Sequence, residues 1–125
     1  MDMKLFDSEL KIMEVLWREG DLPAGRIAGI LKEETGWNRN TTYTVIKKCV
    51  EKGAVERTEP GFVCRALITR EQVQEFETKE LIGKMFGGSR EKFFAAFLEE
   101  EKLSKEEIGH LKQMILDLDE TEKRG

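Results

Sequence analysis

The chain has 125 residues, 39% of them apolar and 37% charged, with a formal net charge of −4; this is room for about one domain's worth of core. No stretch approaches the ~20 apolar residues of a membrane span, and the start, with Asp2 and Lys4, lacks an apolar run of signal-peptide length, so a cytoplasmic protein is expected. Cys49 and Cys64 form no C-x-x-C pair, which argues against a zinc site or a redox dithiol and for reduced, buried thiols.

Asp7 or Ser8 is placed to cap a first helix with Leu10, Ile12, Met13, Leu16 and Trp17 at helical spacing, ended by Gly20. After Leu22 and Pro23 a second helix carries Ile27, Ile30 and Leu31 and closes at Gly36; Gly25 and Gly29 weaken it slightly. Asn38 caps a third helix running to Lys52, with Gly53 as its left-handed stop. Thr42, Val45, Ile46 and Cys49 give that helix an inward face, and Arg39, Asn40, Thr41, Tyr43, Thr44, Lys47 and Lys48 project elsewhere.

Residues 55–57 and 62–67 read as short strands around a Thr58-Glu59-Pro60-Gly61 turn. Three helices followed by a hairpin that must lean on them predict a winged helix-turn-helix head. Thr69 and Gln72 form a capping box for a fourth helix containing Val73, Phe76, Leu81, Ile82, Met85 and Phe86, stopped at Gly87 and Gly88. Ser89 opens a short helix with Phe93, Phe94, Phe97 and Leu98, apolar on more than one side. Leu103, Ser104, Glu107 and Ile108 then launch a last helix striped by Ile108, Leu111, Ile115 and Leu118. The fold expected is mainly α (α+β): a winged-helix DNA-binding domain over residues 1–70 and a helical dimerisation domain over 71–125. A second copy of the tail is the simplest cover for its apolar faces, which points to a homodimer held by Phe76, Phe86, Phe93, Phe94, Phe97, Leu98, Ile108, Leu111 and Ile115.

The acidic total hides a basic module. Residues 37–70 carry a balance of +4 and residues 71–125 one of −5. On the third helix Asn40 suits adenine, Arg39 guanine or phosphate, and Thr41 and Thr44 a phosphate or a thymine methyl. Tyr43 can contact DNA by ring or hydroxyl, and Lys47 and Lys48 fall where the helix passes back to the phosphates. Arg57 and Arg65 bring positive charge to the wing. Double-stranded DNA is therefore the expected partner, against the alternative of a protein-interaction module whose acidic tail binds a partner and whose winged helix is only a scaffold. His110 stands alone in a helix, Trp17 and Trp37 suit packing, and no base completes a triad with the threonines, so no enzyme, metal or cofactor is expected.

Residues 9–17 (ELKIMEVLW), 37–53 (WNRNTTYTVIKKCVEKG), the Gly87-Gly88 break and 97–115 (FLEEEKLSKEEIGHLKQMI) together resemble the penicillinase and methicillin-resistance repressors, the BlaI/MecI family. The resemblance spans nearly the whole chain. It implies a homodimeric transcriptional repressor that reads a palindromic operator with two winged helices, controlling a β-lactam-resistance or related stress operon. The family's reading helix opens Ser-Pro-Lys-Thr; the matching residues here are Asn38, Arg39, Asn40 and Thr41, and Tyr43 replaces a basic or amide residue. The resemblance also implies a membrane sensor-protease pathway that cuts between Asn and Phe in the penultimate helix, a position held here by Ala96 and Phe97. Copper-responsive relatives carry Cys-x-Cys motifs near the C-terminus, whereas residues 65–125 contain no Cys.

Overall fold

The computed structural model describes residues 4–124. In chain order it contains α1 (Asp7–Glu19), β1 (Leu22–Pro23), α2 (Ala24–Thr35), α3 (Arg39–Glu51), β2 (Val55–Thr58), β3 (Val63–Ala66), α4 (Arg70–Phe86), α5 (Arg90–Glu100) and α6 (Lys105–Arg124). The chain divides into two compact units, Met1–Glu80 and Leu81–Gly125, and α4 contributes to both.

In the first unit the apolar stripes of three helices meet the sheet. Ile12, Met13 and Val15 of α1, Ile27 and Leu31 of α2, Ile46 and Cys49 of α3, Val55 of β2 and Cys64 of β3 are all essentially inaccessible to solvent. The helical periods place these side chains on one face of each helix, and their burial supplies most of the drive to fold. Trp17 closes the rim, its indole N–H donating to the Ile68 carbonyl at 2.9 Å with the Arg70 guanidinium over its ring.

The wing is wider than the hairpin read from the sequence. The two-residue β1 joins it, giving an antiparallel sheet of order β1-β3-β2, with Leu22 opposite Cys64 and Arg57 also opposite Cys64. Pro23 lacks an N–H for a ladder, which suits its place on an edge strand. The Ala24 N–H, first in α2, donates to the Phe62 carbonyl at 3.0 Å, tying the wing to the start of α2.

Helix termini follow the capping residues with one correction. The start of α1 is capped neither by Asp7 nor by Ser8: both lie inside the helix, Phe6 is the N-cap residue, and the Glu9 carboxylate reaches back to accept its N–H at 2.8 Å. Asn38 accepts from the Thr41 N–H at 2.8 Å. Gly53 (φ 80°) stops α3, with the Ala54 N–H returning to the Cys49 carbonyl and the Gly53 N–H to the Val50 carbonyl. Both bonds of the Thr69/Gln72 box and of the Ser104/Glu107 box are made.

Among the described residues Glu9 is the one acidic side chain buried in the first unit, 1% exposed. Its carboxylate also accepts from Lys52 Nζ at 2.7 Å, and that ammonium donates to the Lys4 carbonyl at 2.8 Å and lies 4.5 Å from the centre of the Phe6 ring. The end of α3 is thereby fastened to the start of α1.

The second unit has a different character. Phe86 and Phe93 meet edge to face at 5.6 Å, and Phe93 contacts Phe94 and Phe97, yet no residue of α5 is buried. Leu81, Met85, Phe94, Leu98, Met114, Ile115, Leu116 and Leu118 are all exposed, Ile115 by 67%.

Two measurements check this description. Lys52→Met strands a buried carboxylate and is expected to cost ~3 kcal/mol in urea unfolding, whereas Glu9→Gln keeps an acceptor for the Phe6 N–H and lets Lys52 turn to water, costing only ~1 kcal/mol; equal losses would refute the asymmetry. Burial, reinforced by the Glu9 carboxylate, pushes the Cys49 thiol from 9.0 up to about 12. A thiol-disulfide reagent at pH 8 should therefore label Cys49 only after denaturation. Because the folded value lies above the unfolded one, the thiol should leave stability unchanged below pH 9 and lower it as pH rises from 9 towards 12.

Candidate nucleic-acid interface

The second and third helices are joined by three residues, Gly36, Trp37 and Asn38, the turn length of a helix-turn-helix. The Gly36 N–H closes α2 onto the Lys32 carbonyl, and Asn38 starts α3. Thr42, Val45, Ile46 and Cys49 bury the inner face of α3 as their spacing requires. Thr42 Oγ1 is fully buried with no hydrogen-bond partner among the described residues.

The outer face of α3 carries Arg39, Asn40, Thr41, Thr44, Lys47 and Lys48, all exposed, and Tyr43, half-buried. Thr44 Oγ1 donates to the Asn40 carbonyl at 2.9 Å, which leaves the Asn40 side-chain amide unengaged by that bond. Arg39 Nη2 donates to Tyr43 Oη at 2.9 Å, and the guanidinium carbon stands 5.2 Å from the centre of the Tyr43 ring. A Cβ on Gly25 of α2 would lie 3.4 Å from Arg39 Nη2 and 3.7 Å from Tyr43 Oη. The glycine that weakens α2 as a helix residue thus lies beside this pair, a neighbourhood invisible to a propensity argument.

On the wing Arg57 and Arg65 are exposed on neighbouring strands. Arg57 lies 4.9 Å from the centre of the Phe62 ring, at a turn where Gly61 and Phe62 both have positive φ. Arg65 pairs with Glu56 at 2.6 Å, so its charge is partly compensated. Lys52, counted in the basic stretch, is committed to Glu9. Of the seven cations of this stretch, Lys47, Lys48 and Arg39 of α3 and Arg57 of the wing are left without such an acidic partner, as is Arg70, whose guanidinium lies over the Trp17 ring.

The tail residues named from the sequence are divided by the structure. Phe94, Phe97, Leu98, Ile108 and Ile115 are exposed; Phe86, Phe93 and Leu111 are half-buried within the second unit, and Phe76 is half-buried in the first. Exposed Leu81, Met85, Met114 and Leu116 extend the apolar surface beyond the residues assigned to it; a strict helical stripe omits the flanking apolar positions that widen it. Ala96 is half-buried and Phe97 40% exposed, side by side in α5. His110 is exposed. No helix among the described residues is long and apolar enough to cross a membrane.

Comparison with known proteins agrees with this architecture. The chain is 25% identical over 114 residues to a penicillinase repressor of Bacillus licheniformis, covering 90% of this chain and 89% of that protein. It is 24% identical over 120 residues to the methicillin resistance regulatory protein MecI of Mammaliicoccus sciuri, covering 92% and 98% respectively. The solution structure of the DNA binding domain of the repressor BlaI superposes with a TM-score of 0.50 at 25% identity, over 54% of this chain and 84% of that one. Residues 5–117 match the penicillinase repressor family. With that match running from the start of α1 into α6, the chain belongs to the penicillinase repressor family.

Proposed function

We propose that this protein is a transcriptional repressor that binds a palindromic operator in duplex DNA as a homodimer. The observation that carries the reading is the composition of the outer face of α3: amide, hydroxyl and cationic side chains, with no acidic residue between Arg39 and Val50, on a helix whose opposite face is locked into the core. Such a helix enters the major groove as a rigid body. Asn40, Thr41 and Thr44 then face base edges, and Lys47 and Lys48 meet phosphates further along. Arg57 and Arg65 approach the adjacent backbone from the wing. The relatives' repressor names and the DNA-binding title of the BlaI structure support carrying this function to the present chain.

The exposed apolar surface of α5 and α6 supports pairing with a second copy of the tail. Two tethered heads would engage half-sites about one helical turn apart, ~10 bp between centres. Tethering raises the effective concentration of the second contact to roughly millimolar, so operator affinity depends on the dimer. The protein would act in the cytoplasm, controlling a β-lactam-resistance or related operon as its relatives' names suggest. A membrane sensor-protease pathway of the family type would cut at Ala96-Phe97; that cut would divide α5 and lower the stability of the pair. Ala96 stands where the family pattern has Asn, so such a protease would have to accept alanine.

Selection of bound duplexes from a random pool should enrich an inverted repeat, and raising salt from 50 to 200 mM should weaken binding steeply, by ~10³-fold or more for a protein making several phosphate contacts. Lys47→Glu combined with Lys48→Glu should abolish the enrichment while leaving thermal unfolding unchanged, both side chains being exposed. Retained operator binding by this variant would refute the role given to α3. Phe97→Asp should convert a dimer to a monomer in sedimentation and lower operator affinity at least 100-fold; an unchanged dimer mass would exclude this face from the pairing surface.

A further inference from the structure

Arg39 has two chemically open destinations, a guanine edge or a phosphate, and the structure distinguishes them. We infer that Arg39 is a sequence-independent phosphate contact held in place by Tyr43 and Gly25, and that Tyr43 is a positioning residue and not a reader of bases. The inference rests on the operator-binding reading above and assigns within it which groups of α3 carry specificity.

Arg39 is the first residue of α3, and an unconstrained arginine there would extend from the tip of the helix into the groove. Its side chain takes another course. It runs along the helix to Tyr43, one turn on, where Nη2 donates to Oη at 2.9 Å and the guanidinium sits 5.2 Å from the ring centre. Both groups lie against the first turn of α2, where Gly25 has no side chain: an added Cβ would stand in ordinary van der Waals contact with Nη2 at 3.4 Å and Oη at 3.7 Å. The guanidinium therefore sits beside α2, bonded to Tyr43 Oη and close to the Gly25 backbone.

Bidentate reading of guanine requires two guanidinium donors aimed together at O6 and N7 on the groove floor. Here one Nη is engaged by a tyrosine hydroxyl, and the group is held against the neighbouring helix. In helix-turn-helix docking the helix before the reading helix crosses the phosphate backbone, so a cation held at its first turn meets phosphate oxygens. The donors left over on Arg39 suit one phosphate, and restricting the side chain in advance lowers the entropic cost of making that contact. Asn40, Thr41 and Thr44 remain as the base-facing groups.

The test uses the full-length protein, its selected operator and a set of duplexes each changed at one base pair, with binding measured at several salt concentrations. Arg39→Ala should weaken the operator and every variant duplex by the same factor, about tenfold, the size of a charge-assisted hydrogen bond. It should also flatten the slope of log K against log salt by about 0.9, one phosphate. Arg39→Lys should restore that slope. Tyr43→Phe should cost about threefold on all duplexes alone and nothing further in the Arg39→Ala background, and Gly25→Leu should behave like Tyr43→Phe. A loss confined to one base position, or an unchanged salt slope, would overturn the assignment of Arg39. A Tyr43→Phe loss that persists without Arg39 would overturn its positioning role. Absence of any binding by the parent protein would overturn the operator reading itself, and this assignment with it.

Discussion

The orientation of the third helix depends on a buried carboxylate. Glu9 accepts from the Phe6 N–H and from Lys52 Nζ, and so joins the first turn of α1 to the residue that ends α3. A carboxylate at 1% exposure is costly unless its partners replace water, and this one has a backbone donor and an ammonium that is itself held by the Lys4 carbonyl and the Phe6 ring. At the other end α3 is set by the Asn38 cap and the three-residue turn from α2. A helix pinned at both termini presents its outer side chains as a fixed array, which is what reading a groove by several groups at once requires.

The same ion pair alters the meaning of the charge map. The balance of +4 over residues 37–70 counts Lys52, which is spent inside the protein, and Arg65, which is paired with Glu56. What remains is a smaller set of cations: Arg39, Lys47 and Lys48 on α3, Arg57 on the wing and Arg70 over the Trp17 ring. Counting charges along the chain singles out this segment, because the acidic residues of the tail are remote in sequence. It could not separate structural cations from available ones, since that depends on which residues the fold brings together, 43 positions apart for Lys52 and Glu9 and across a strand pair for Arg65 and Glu56.

Features that depend on residues three or four apart were legible in the sequence. The buried set Thr42, Val45, Ile46 and Cys49, the Asn38 cap, the Thr69/Gln72 and Ser104/Glu107 boxes and the Gly53 stop all follow from local spacing, and the structure has each of them. Features that depend on distant pairing were not. A two-residue strand such as β1 has no periodicity to detect, and only its ladder with β3 defines it. Asp7 and Ser8 satisfy the compositional rule for a cap, but Glu9 already occupies the Phe6 N–H, so the helix begins one residue earlier than a side-chain cap at Asp7 would set it. The closeness of Gly25 to Arg39 and Tyr43 likewise belongs to the packing of two helices.

The two units divide the work along the same physical line. The first buries most of its apolar residues in one core; the second forms well-capped helices of which many large apolar side chains stay in water. Capping and helix propensity can hold short helices in register, but they cannot offset the cost of so much exposed apolar surface, which a partner surface would remove. With a second tail as that partner, pairing becomes an equilibrium separate from the folding of the heads. A head limited to a few cations gains little from the DNA backbone alone, and the acidic tail adds no attraction of its own. Occupancy of an operator would then be governed by the tail, through whether two heads arrive together, while the choice of operator would rest with the few groups of α3 proposed to face the bases.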